Sequence, residues 1–143
     1  MKKANPTPKT KTVKAKKQIP KKEILSLENL SVTIQANPVL PVLQNISFSM
    51  EEGEILALVG ESGSGKSLTA LSITKLLPVK QFEYTNGSIV FNGANILKLE
   101  HEKLRSIRGK EIAYIFQDPF TSLNPLKKIK DQITESYKIH ISE

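Results

Sequence analysis

The chain has 143 residues and a formal net charge of +7, enough length for one domain with a real core. It contains no cysteine, which excludes disulfides and cysteine-ligated metals and fits a reducing compartment. No apolar run approaches the length of a membrane span, and no apolar core follows the first lysines, so neither a spanning helix nor a secretory signal is expected.

The charge is unevenly placed. Residues 1–22 hold nine lysines and no acid, while the remainder carries 12 basic against 14 acidic residues, a net of −2. A fold-wide nucleic-acid surface is therefore not supported. The segment 1–22 is Lys, Thr, Pro and Ala, with too little apolar surface to offset its ordering entropy. It reads as a disordered tail. Loose contact with anionic lipid or RNA is one use for it, and a solvated extension with no site is the plainer reading.

Ile24, Leu25, Leu27, Leu30, Val32 and Ile34 predict a first strand, with Leu30, Val32 and Ile34 alternating. Residues 35–41 hold two prolines and an asparagine and predict a loop. Ile46, Phe48 and Met50 place a second strand with one apolar face, so the pair reads as an antiparallel hairpin. Glu51-Glu52-Gly53 is a turn into an apolar run at 54–59, which predicts a central strand.

That run stops at Gly60 and opens Gly60-Glu61-Ser62-Gly63-Ser64-Gly65-Lys66-Ser67, the pattern G-x-x-x-x-G-K-[ST]. A helical run from Leu68 to Leu77 follows, ended by Pro78 and apolar on most sides. The residue types suit phosphate capture. Glycines at 60, 63 and 65 let a tight concave loop turn its amides inward. The helix start, including Leu68, adds unpaired N–H groups and a positive dipole end. Lys66 can set a point charge on the β/γ-phosphates, and Ser67 can ligate magnesium through its hydroxyl. The competing reading is a bare glycine turn. A chance match in a chain this long is on the order of one in a few hundred.

Further on, Asn86-Gly87 reads as a turn, Ile89-Val90-Phe91 as a short strand, and Asn92-Gly93 as its stop. Leu97, Leu99, Leu104 and Ile107 predict a short helix before Arg108-Gly109. Residues 112–116 predict a strand ended by Gln117-Asp118-Pro119. Ile129, Ile133 and Tyr137 recur at i, i+4 and predict a last helix, with no cap residue before Glu143.

The loop, followed by Gly87-Ser88-Ile89-Val90-Phe91-Asn92-Gly93, Ile107-Arg108-Gly109-Lys110-Glu111-Ile112 and Ile115-Phe116-Gln117-Asp118-Pro119 running into Thr121-Ser122-Leu123-Asn124-Pro125, resembles the first half of an ABC transporter ATPase subunit. The likeness is to the oligopeptide/dipeptide/nickel importer branch and covers about residues 23–140. The Walker A loop is widely shared; the stretch from Phe116 to Pro125 is narrower. The resemblance implies an α/β P-loop NTPase fragment with an N-terminal antiparallel β subdomain and an incomplete core sheet. It implies a partial ATP-binding domain at 23–143, truncated after the Q-loop inside the helical subdomain. ATP and Mg2+ are implied ligands, with Gly60, Glu61, Ser62, Gly63, Ser64, Gly65, Lys66, Ser67, Leu68 and Gln117 around the nucleotide. Ser67 and Gln117 are implied at the metal, Gln117 also at the attacking water, where an amide offers donor and acceptor. Asp118 is taken as outer-shell or surface, and His101 and His140 as solvated.

By the same likeness, the partners are membrane-spanning permease subunits and a second ATPase subunit, with no specific nucleic acid, at the cytoplasmic face of the inner membrane. The reaction is ATP hydrolysis driving import of a small peptide or metal chelate. Three departures qualify this. Relatives place an adenine-stacking aromatic where this chain has Ile34, and about 1–3 kcal/mol of stacking is expected to be missing. The Leu-Ser-Gly-Gly-Gln signature is not in the sequence, nor are the later acidic strand with its catalytic glutamate and the switch histidine. No catalytic residue proper is therefore expected in this chain, and it is expected to hydrolyse little or no ATP alone. Two other readings stay open. One is a truncated, non-catalytic nucleotide-binding fragment; the other is a basic-tailed protein associated with RNA or lipid.

Overall fold

The computed structural model describes residues 21–116 and 123–141. The lysine-rich segment up to residue 20, together with Gln117, Asp118 and Thr121, lies outside the described residues. Four strands, β1 (Glu23–Ile34), β2 (Leu40–Glu51), β3 (Phe82–Phe91) and β4 (Ala94–Asn95), form one antiparallel sheet in the order β2-β1-β3-β4. The helices are α1 (Lys66–Ile73), α2 (His101–Ile107) and α3 (Ile129–His140), with a short 3-10 turn at Ile96–Lys98 before α2. The expected β1–β2 hairpin is present, joined by a loop at 35–39.

Leu25, Leu27, Leu30, Val32, Leu43, Ile89, Ile96, Leu104 and Ile107 are all buried in one cluster. Leu25 and Leu27 occupy odd positions and Leu30 and Val32 even ones. A regular strand would send the two pairs to opposite faces. The register shifts where Glu28 and Ser31 face Ser88 and Asn86, and Asn29 takes φ +49°. This bulge adds a residue and returns the leucines to one face. Asn45 in β2 (φ +51°) and Gly87 in β3 (φ +92°) continue the irregularity across neighbouring strands. The amides displaced from the ladder find hydroxyls: Asn29 N–H donates to Ser47 Oγ at 2.8 Å and Asn45 N–H to Ser31 Oγ at 3.0 Å.

Asn86-Gly87 is therefore not a turn but the inside of a strand, a correction to the sequence reading. The Asn-Gly pair serves the bulge. A Cβ at Gly87 would lie 2.4 Å from the Glu28 carbonyl oxygen and 2.6 Å from the Asn29 carbonyl carbon, both backbone atoms. Gly87→Ala is expected to cost about 2–4 kcal/mol, combining left-handed strain with the forced backbone shift. Urea denaturation should show a lower midpoint at unchanged slope. A loss under about 0.5 kcal/mol would remove this account of the bulge.

Two expected strands do not form ladders among the described residues. Residues 54–59 run without a paired strand, with Ile55 and Val59 95% and 93% exposed. Ile112 makes only an isolated parallel bridge to Arg108, and Ile115 is 97% exposed. The apolar pattern is strand-like, but a ladder forms only where a partner strand lies alongside. None of the described strands lies beside either segment.

Helix α1 is shorter than the apolar run suggested. It ends at Ile73, in a turn where Leu76 N–H donates to the Leu71 carbonyl and Lys75 N–H to the Ser72 carbonyl, both at 3.0 Å. Lys75 takes the left-handed conformation (φ +52°) that closes such an end. Nor are its buried positions apolar. They are Thr69 and Ser72, whose hydroxyls donate to the carbonyls of Gly65 (3.0 Å) and Leu68 (2.7 Å) four residues back. Leu68, Leu71 and Ile73 are only partly buried against the sheet core.

Candidate functional site

The glycine-rich loop leads directly into α1. Gly65 caps the helix at φ +89°, ψ +2°, a conformation that costs a residue with a side chain about 1–2 kcal/mol. Space disfavours a side chain as well: a Cβ there would sit 2.7 Å from Leu43 Cδ2, and the packed leucine would have to shift. The floor of the loop thus rests on β2, which ties the site to the antiparallel sheet. The helix ladder begins with Thr69 N–H donating to the Gly65 carbonyl at 2.8 Å. The amides of Lys66, Ser67 and Leu68 precede that first bond and belong to the donor-rich, positive end of the helix.

Ser62, Gly63, Ser64, Gly65, Lys66, Ser67 and Leu68 line a concave space of about 360 Å³. Lys66 folds back over it. Its Nζ donates to the carbonyls of Gly60 (2.8 Å) and Glu61 (2.6 Å) and to Ser64 Oγ (3.1 Å). All three partners are neutral oxygens, so the ammonium charge is solvated by the loop but not cancelled. A cation and helix-end amides around one concavity form an anion site. The donor set fits a polyphosphate. The Ser67 hydroxyl is an oxygen of the kind a magnesium ion takes, and it would be the loop's own contribution to such an ion.

The structure brings nine of the ten expected nucleotide residues, Gly60, Glu61, Ser62, Gly63, Ser64, Gly65, Lys66, Ser67 and Leu68, into one continuous loop and helix start. Gln117 lies outside the described residues. His101 is 80% exposed and 3.7 Å from Glu102, and no cluster of three metal-ligating side chains occurs among the described residues. The side chain of His140 lies outside the described residues.

One group tied to this helix escaped the sequence reading. Tyr114 donates its hydroxyl to the Ala70 carbonyl and accepts from Thr74 Oγ1 at 3.1 Å; Tyr84 donates to the Ser72 carbonyl at 3.4 Å. Arg108 donates from Nε (2.9 Å) and Nη2 (2.7 Å) to the Thr74 carbonyl, and from Nη2 to the Lys75 carbonyl (2.7 Å). In the sequence, Arg108 marks the end of a short helix and belongs to one stretch of the family resemblance, with no role of its own. The signal available was a lone arginine before glycine, which says nothing of a partner more than thirty residues earlier in the chain.

Burial pushes the Tyr84 and Tyr114 phenols above their ordinary value of 10.0, against the opposing pull of hydrogen bonds and of the Arg108 charge. Folding therefore favours the protonated phenols. That contribution is fully present below pH 10 and is lost as pH climbs through the raised folded values. The unfolding midpoint should stay flat on this account from pH 7 to 9 and fall above about 10. Tyr114→Phe should flatten part of the alkaline fall, and an unchanged slope in that variant would refute its share.

A family model described as ABC transporter matches residues 43–142. The chain is 48% identical over 118 residues to the uncharacterized ABC transporter ATP-binding protein YejF of Escherichia coli (strain K12), covering 82% of this chain and 22% of that protein. It is 47% identical over 118 residues to the peptidoglycan transport ATP-binding protein YejF of Agrobacterium fabrum, with coverages of 82% and 22%. It is 41% identical over 113 residues to the oligopeptide transport ATP-binding protein OppD of Bacillus subtilis, covering 78% of this chain and 32% of that protein. The chain thus spans between 22% and 32% of the length of these relatives. None of the described helices is long and apolar enough to cross a membrane. With the phosphate-loop geometry and a family match over most of its length, this chain belongs to the ABC transporter family.

Proposed function

We propose that this chain binds ATP with Mg2+ through residues 60–68, as part of the ATP-binding subunit of an importer for peptides or similar small solutes. The carrying observation is the Lys66 ammonium, held over a concave loop by neutral oxygens only, beside the amide end of α1. Triphosphate brings the negative charge that such a site lacks. The amides of Gly63, Ser64 and Gly65 and of the first helical turn hold the phosphate oxygens, and Lys66 swings from loop carbonyls to the β/γ-phosphates. Ser67 would hold the metal, which would neutralise phosphate charge, and Gln117 would orient the metal and the water. Phosphoryl transfer then needs an in-line water and charge neutralisation. The chain's own residues supply the second of these.

The solute class follows the relatives, which include oligopeptide and dipeptide transport ATP-binding proteins. Permease subunits and a second ATPase subunit are the proposed partners, at the cytoplasmic face of the inner membrane. Residues 23–143 are proposed as part of one ATP-binding domain whose core sheet is incomplete. A second reading, nucleotide binding without turnover, is favoured by segments 54–59 and 113–116, which have no ladder among the described residues. Equilibrium dialysis with labelled ATP and excess Mg2+ tests binding, and steady-state phosphate release separates the two readings. Saturable binding at one site supports the proposal. A folded sample that retains no ATP refutes it.

A further inference from the structure

We propose that Arg108, together with Tyr114, positions the phosphate loop from the far end of α1 and so sets triphosphate affinity without touching the triphosphate. The inference rests on the reading of residues 60–68 as a triphosphate site.

Helix α1 has eight residues, fewer than the roughly 12–15 that an isolated helix needs in water. The segment before the loop, 54–59, has no ladder to hold it among the described residues. The direction of the first-turn amides therefore depends on what grips the helix. One grip is the seat of Gly65 on Leu43, and a second is the partial packing of Leu68, Leu71 and Ile73 on the sheet core. The third, which sets the far end, is at the last turn, where chain segments distant in sequence converge on carbonyls left over at the helix end. Arg108 takes those of Thr74 and Lys75 through three donations of 2.7–2.9 Å, and Tyr114 takes that of Ala70. A planar guanidinium suits two adjacent carbonyls, and its charge complements the negative end of the helix. Tyr114 is fixed in turn by Thr74 Oγ1 and by stacking on Phe116, with centroids 6.2 Å apart. A helix this short is about 12 Å long, so a tilt of about 5° at the clamp moves the loop amides by about 1 Å. Misplacement on that scale is costly to a site built from fixed donors.

The test uses the full chain, with ATP and inorganic tripolyphosphate as probes, well below each variant's unfolding midpoint. Arg108→Gln should weaken both probes about tenfold in fully folded samples. Tyr114→Phe, which keeps the ring and loses only the hydroxyl, should weaken both severalfold and serves if Arg108→Gln does not fold. The chain has three tyrosines and no tryptophan, so tyrosine emission is a native reporter. ATP should change that emission in the natural chain, and the change should disappear in Tyr114→Phe. Lower midpoints with wild-type affinity for both probes would overturn the positioning role and leave a structural one. So would an emission that ignores bound ATP. A natural chain that binds neither probe would remove the loop reading and this inference together, whereas binding that survives in every clamp variant removes the inference alone.

Discussion

Lys66→Ala is expected to weaken ATP binding by about 10- to 100-fold, the worth of one hydrogen bond to a charged group. The side chain now spends its three donors on Gly60, Glu61 and Ser64, all on an exposed loop. Its removal leaves those oxygens to water, so stability should move by less than about 0.5 kcal/mol. The separation of large binding loss from small stability loss is the diagnostic. Lys66→Arg keeps the charge but replaces a compact ammonium with a wide planar fork. It should bind ATP better than the alanine variant and worse than the natural chain. Isothermal titration of the three proteins beside their thermal midpoints reads both quantities. Equal affinity in all three would remove the ammonium from the account.

Gly65→Ala should damage both fold and site. The residue sits at φ +89°, and its new methyl would fall 2.7 Å from Leu43 Cδ2, on a leucine only 4% exposed. The conformational part costs about 1–2 kcal/mol. Displacing a packed leucine adds overpacking of about 1–3 kcal/mol. The loop, lifted from β2, loses the common aim of its amides, and ATP affinity should fall by more than about tenfold. The two costs can be divided. Pairing Gly65→Ala with Leu43→Ala opens space for the methyl but leaves the backbone strain. The double variant should then be less destabilised than the sum of the single ones, a coupling measurable by a double-mutant cycle. Strict additivity would mean that the Leu43 contact does not carry the effect.

These two residues were legible in the sequence because their chemistry is local. A glycine that must turn, a lysine that must reach back and a helix that must start are specified within eight positions. The β1–β2 hairpin was legible for the same reason, from alternation and a proline-bearing loop. The bulge was not. Asn29, Asn45 and Gly87 act together only once three strands are laid side by side, so Asn86-Gly87 taken alone looked like a turn. The end of α1 was misplaced because Lys75, not glycine, takes the left-handed position. Side chains from residues 84, 108 and 114 satisfy the carbonyls there. The run at 54–59 has the composition of a strand, but a ladder is a property of partners rather than of the strand itself. Gln117 was reached by resemblance, and its role stays a proposal.

The central claim is that the loop amides and one ammonium grip a triphosphate. Amide-resolved magnetic resonance during a titration with Mg2+ and ATP tests it most directly. The account predicts that the largest shifts fall on Gly63, Ser64, Gly65, Lys66 and Ser67, saturating together, with tripolyphosphate reproducing them. Shifts centred on the lysine-rich residues 1–22, with those five amides unmoved, would contradict it.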